Sequence, residues 1–170
     1  MKRYIVLLGF VSFVLLLTAC SGTINEEQKK ARDAAKEIFE SETVKANKES
    51  EAISFFLPSS MKIESEDANN LLLAKGSKLY ILFHNPNEGK DSNVLYDTTL
   101  KSAKEYRLNE KFSKEGELGF IFIKDLEEEK YELIVGIGGS KITTETTVKD
   151  LADDAELMMR IVSSVTMPEK

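Results

Sequence analysis

Three kinds of side-chain group in this sequence could do chemistry, and two of them occur once. Cys20 is the only cysteine and His84 the only histidine, whereas Asp and Glu total 29. One thiol can be alkylated, but it cannot form a disulfide within the chain. One imidazole can serve one base or one metal bond. The many carboxylates could pair for acid–base work, or could simply keep a surface solvated.

The thiol has the most informative surroundings. Lys2 and Arg3 open the chain, and residues 4–17 are apolar except for Gly9 and Ser12. Thr18 and Ala19 then supply the small residues of a cleavage site, so 1–19 reads as a secretory signal peptide. The run of about 14 residues falls short of the roughly 20 that a spanning helix requires, which makes a simple transmembrane anchor the weaker reading. An ordinary signal peptide cut elsewhere is the bland alternative.

Leu17-Thr18-Ala19-Cys20 resembles the lipobox of bacterial lipoproteins, Leu-(Ser/Thr/Ala)-(Ala/Gly)-Cys, at all four positions. The resemblance implies signal-peptidase recognition through Leu17, Thr18 and Ala19. It also implies a diacylglycerol thioether on Cys20, with acyl chains such as palmitate, and cleavage that leaves Cys20 first. A thioether needs a thiol, and two chains burying methylenes at roughly 0.8 kcal/mol each give a lasting anchor where one would not. The expected location is the extracytoplasmic face of the cell membrane. The general character of the chain points to a Gram-positive cell, and Ser21 after the cysteine decides little about it.

Loss of Lys2 and Arg3 with the leader takes the formal charge from −6 to −8. That opposes nucleic-acid binding and a polybasic grip on anionic lipid. The roughly 150 residues left are one domain and a spacer. Without a disulfide, stability must come from an apolar core, and without Trp the nine Phe and five Tyr must fill it.

The metal and nucleophile readings are poor. With Cys20 acylated, His84 is alone among the usual zinc ligands, so no metal is expected. Asn85, Asn87, Glu88, Asp91 and Asn93 surround Gly89, but not in the spacing of a calcium loop. No Gly-x-Ser-x-Gly elbow accompanies His84. Glu127-Glu128-Glu129 reads as a hairpin tip, and Asp153-Asp154 as helix surface. A carboxylate-based hydrolase of cell-wall material stays open as the alternative function. Gly136-Ile137-Gly138-Gly139-Ser140-Lys141 precedes a Thr-rich β-like stretch, so it reads as a hairpin turn and not as a phosphate cradle.

Several elements must position these residues. Asn25 with Gln28 suggests a helix start, and Ala31, Ala34, Ala35, Ile38 and Phe39 form a narrow stripe at helical spacing. This helix, within a tether spanning 20–52, is expected to be a solvated spacer reaching roughly 36 Å. A docking strip for another protein is the sharper reading, and packing on the chain's own domain the third. The globular part is placed at 53–170. Strand-like segments lie at 61–64, 71–75, 78–84, 106–112, 118–124, 130–137 and 141–145, the last expected at an edge. A short helix is preferred within 91–102. Apolar residues on both faces of 118–124 and 130–137 suggest strands covered on both sides. The final helix starts with a capping-box pattern, Thr147 and Asp150, and Pro168 is expected to stop it.

The expected fold is therefore α+β: an antiparallel sheet of five or six strands against a C-terminal helix, preceded by the N-terminal spacer helix. Phe56-Leu57-Pro58, the strand end Leu82-Phe83-His84-Asn85-Pro86 and the helix end Ile161-Val162-Ser163-Ser164-Val165 together resemble the PsbP-like fold, over about 56–165. That resemblance implies a sandwich and a binding or assembly role, and names no activity. The expectation is a non-enzymatic lipoprotein without cofactor. Its partners would be the membrane, through Cys20, and an envelope protein or small molecule.

Overall fold

Period-two alternation and short polar connections dictate the central sheet. The computed structural model describes residues 22–168, so the signal peptide, Leu17, Thr18, Ala19 and Cys20 lie outside the described residues. All seven strand-like segments enter one antiparallel sheet: β3 (Lys62–Asp67), β4 (Asn70–Lys75), β5 (Lys78–His84), β6 (Leu108–Lys114), β7 (Glu117–Asp125), β8 (Lys130–Ile137) and β9 (Ser140–Thr147). A two-stranded ribbon, β1 (Lys48–Glu49) with β2 (Ser54–Phe55), stands beside it. The main order is β3-β4-β5-β9-β8-β7-β6.

β9 therefore sits at the centre of the sheet and not at the expected edge. Its threonines suit that place because their hydroxyls are satisfied: Thr144 Oγ1 donates to Leu79 O at 2.7 Å, and Thr146 Oγ1 to Asp154. The edges are β3 and β6. Exposed Lys62, Glu64 and Glu66 on β3 and exposed Lys111 on β6 discourage pairing with another chain.

Tyr80, Leu82, Ile121, Ile123, Leu133, Val135 and Ile142 point to one face and are essentially inaccessible. Two helices, α1 (Ile24–Glu40) and α3 (Leu151–Ser163), cover that face. On the other face α2 (Val94–Ser102) lays Leu95 and Tyr96 on Phe120, Phe122 and Ile134. β7 and β8 are thus buried on both sides, as their double apolar pattern implies.

α1 is where the sequence put it, but it does not stand off in solvent. Ala31 and Ala35 are fully buried and Phe39 nearly so, and the helix lies along α3. Small residues at i and i+4 let two helix backbones approach closely. Phe39 packs on Phe112, ring centroids 6.0 Å apart. It also fills the space over Gly119, where a Cβ would come within 2.8 Å of its ring. The start is set by a capping box from Thr23 and Glu26, two residues ahead of the expected Asn25: Thr23 N donates to Glu26 Oε2 at 3.0 Å, and Glu26 N to Thr23 Oγ1 at 3.4 Å.

The two ends of the sheet differ. One end carries the Gly76–Ser77 turn, the 126–129 tip and Thr147; the other carries His84, the Gly138–Gly139 turn and the Glu115–Gly116 turn. α1 begins at the first end, where Asn25 and Gln28 share a shallow cleft with Arg107, Lys124 and Asp125. It finishes at the second, where Lys114 Nζ donates to Glu40 O at 2.7 Å. α3 runs the same way, from beside Thr147 to Ser163, whose carbonyl accepts from Lys90 Nζ. A 3₁₀ turn, Val148–Asp150, leads into it in place of the expected capping box, because the Asp150 side chain is taken by Thr147 Oγ1 and Lys78 Nζ. α3 stops at Ser163, before Pro168. Ser164 Oγ accepts Phe56 N at 2.7 Å, and Thr166 bridges to Ser54, which pulls the chain out of helical geometry.

Candidate functional site

A cleft with an apolar floor and His84 in its wall lies at the sheet end away from the start of α1. Its volume is about 440 Å³. β5 and β9 bring His84 and Ser140 into register at their ends, β8 contributes Ile137, α3 contributes Val162, and Val165 follows just beyond the helix. The 85–90 loop and Met167 form the rim.

The glycines of the β8–β9 turn fix this geometry. Gly138 has φ +49°, and a Cβ there would strike the backbone of Gly89 and Lys90; a Cβ on Gly139 would strike Glu88 O. This close approach lets the loop zip onto the turn: Asn85 N donates to Gly139 O at 2.8 Å, and Gly139 N to Gly89 O at 3.1 Å. The turn reading of 136–141 therefore holds. The glycines bring two pieces of backbone together and open no helix.

His84 Nδ1 lies 2.8 Å from Ser140 Oγ. Nε2 is buried without a hydrogen-bond partner among the described residues. Burial holds the imidazole below its ordinary range, so it stays neutral near pH 7. A serine nucleophile needs its histidine oriented by a third group. Here no carboxylate among the described residues reaches the ring, and Ser140 is itself 94 % shielded, with 6 % of its surface exposed. The pair ties the end of β5 to the start of β9 beside the apolar floor.

The loop oxygens singled out around Gly89 are drawn apart. Asn93 Oδ1 accepts from Lys111 Nζ at 2.8 Å, Asn85 Oδ1 accepts from Asn87 N at 3.1 Å, and Glu88 accepts from Ser92 Oγ. Among the described residues no three of His, Cys, Asp and Glu converge as a metal site would require. The Glu127–Glu129 run lies exposed at the tip, and Asp153 is exposed on α3.

Asp154 departs from the expectation. It is 4 % exposed and faces the sheet. Its carboxylate accepts from Tyr80 OH at 2.8 Å, Lys78 Nζ at 2.7 Å and Thr146 Oγ1. Burial and then the Asp154 hydrogen bond push the Tyr80 phenol far above its ordinary value. Burial opposes the Lys78 charge, but Asp154 outweighs it and holds the ammonium above its usual range. The heptad spacing carried the signal: 154 falls three after Leu151 and four before Met158, on the buried face. The network ties α3 to β5 and β9 at the sheet end remote from the cleft.

No protein-family model matches the chain, and no curated protein matches it significantly.

Proposed function

We propose that this protein is a lipoprotein, held by a diacylglyceryl thioether on Cys20 at the extracytoplasmic face of the cell membrane. Its folded part has a non-catalytic binding or assembly role in the envelope. The observation that carries the reading is Leu17-Thr18-Ala19-Cys20 after a charged start and a short apolar run. The PsbP-like resemblance points to the same kind of role. The cleft at His84 supports binding, since an apolar floor with few polar groups is what a small ligand or an inserted side chain requires.

Cys20→Ala, expressed in the native host, tests the anchor. Wild type should incorporate labelled fatty acid and sediment with membranes; the variant should incorporate none and lose its signal-peptidase site. Equal labelling of both would contradict the proposal.

The binding role is tested in the same cells by a photo-crosslinking residue at Met167, which is 59 % exposed at the cleft rim. It should yield a discrete adduct that the same residue at exposed Ser77 does not. Absence of an adduct at Met167, or the same adduct at both positions, would count against the cleft.

A further inference from the structure

We infer that the anchored protein stands end-on against the membrane, with the Gly76–Ser77 and 126–129 turns at the lipid headgroups and the His84 cleft facing the aqueous envelope. The inference rests on the proposed thioether at Cys20. It follows from how little chain separates that residue from the fold.

The folded chain is fixed from Thr23, which the capping box with Glu26 holds. α1 in turn is pinned by Ala31, Ala35 and Phe39. Only Ser21 and Gly22 lie between Thr23 and Cys20. Three residue steps span at most about 11 Å. A tether that short cannot let a domain of this size turn over, whereas the solvated spacer expected from the sequence would have allowed every orientation.

The position of Gly22 then selects the end. It precedes the first turn of α1, beside Arg107, Lys124 and Asp125. Arg107 grips Asp125 with two hydrogen bonds, at 2.8 and 3.0 Å, which closes this end on itself. α1 runs from there to the other end, and its 17 residues cover roughly 25 Å at 1.5 Å per residue. The cleft, near the end of that path, stands about that far from the headgroups.

Charge does not reverse this arrangement. A mature charge of −8 opposes approach to anionic lipid. The Debye length of about 8 Å at physiological salt is comparable with the full reach of the tether. The covalent link therefore holds this end where repulsion is still felt, and repulsion pushes the rest of the acidic body outward instead of laying it on the lipid. The cleft's ligand consequently arrives from the water side and not by lateral diffusion in the bilayer.

The test uses the full acylated chain, in which a second, introduced cysteine is the only free thiol. Ser77→Cys and Glu127→Cys report one end; Asn87→Cys and Ser113→Cys report the other, and all four positions are exposed. Each is labelled with a fluorophore and reconstituted into phosphatidylcholine–phosphatidylglycerol vesicles carrying a nitroxide on the headgroup. Quenching at Ser77→Cys and Glu127→Cys should exceed that at the other two by at least threefold. Inserting 12 Gly/Ser residues between Ser21 and Gly22, with a mean reach of about 19 Å, should remove most of the difference.

Even quenching in protein that floats with the vesicles would overturn the orientation and leave the anchor standing. Protein that does not float would overturn the anchor and the inference together. A bias that survives the insertion would show that the tether is not its cause.

Discussion

Phe39→Ala should lower the stability of the fold by about 3–5 kcal/mol, the range for removing a buried aromatic ring. Phe39 is 4 % exposed, stacks on Phe112 and fills the space above Gly119. Neither Phe112 on β6 nor the glycine on β7 can move in to close the gap, because both are held in the sheet. For a domain of this size the melting temperature should fall by roughly 6–20 °C. Urea unfolding of a chain starting at Gly22 measures it directly. A solvated spacer would give a change within about 0.5 kcal/mol, and such a result would return α1 to solvent. By the same argument, a chain starting at Ile53 loses the cover of α3 and of Phe112. It should not show a cooperative transition.

Asp154→Ala should cost about 3–5 kcal/mol, the penalty for leaving the partners of a buried ion pair unanswered. Tyr80 OH and Thr146 Oγ1 lose their acceptor inside the core. Lys78 is less affected, since it is partly exposed and can turn to Asp150, 3.3 Å away. The pH dependence carries a second signature. Tyr80 and Lys78 both titrate higher in the fold than in the unfolded chain. The unfolded chain therefore loses their protons first as pH rises. Their contribution is complete below about pH 10, the ordinary range of both groups, and is lost as pH climbs beyond it. Wild-type stability should fall from pH 9 to pH 11 more steeply than that of Asp154→Ala. Parallel curves would show that the network does not set the alkaline limit.

These two residues also mark where the sequence stopped being legible. The strands were readable because alternation and short polar turns are local signals, and the double apolar faces of β7 and β8 correctly implied cover on both sides. α1 was readable as a helix, but its burial was not. Alanine is the best helix former as well as a good packing residue, so Ala31 and Ala35 could not distinguish a solvated helix from a packed one. β9 was expected at an edge, yet its threonine hydroxyls find acceptors inside the sheet and on Asp154. The spacing of Asp154 placed it on the apolar face of α3. Its partners Tyr80 and Lys78 lie more than 70 residues earlier, and nothing local announced them.

The candidate site was legible in pieces only. His84 was correctly placed at a strand end beside a turn, and Gly138-Gly139 was correctly read as a hairpin. That the turn and the 85–90 loop close over the end of α3 depends on β5 lying next to β9, a pairing across more than 50 residues. The correction to α1 also changes the functional picture. A helix built into the fold removes the long spacer and, under the proposed anchoring at Cys20, the freedom of the domain above the lipid.

The most direct measurement is the mass of the amino-terminal peptide of the protein purified from its native membranes. The account predicts that Cys20 is the first residue and carries a diacylglyceryl group through its sulfur. A free thiol at Cys20, or a mature chain that begins at any other residue, would contradict it.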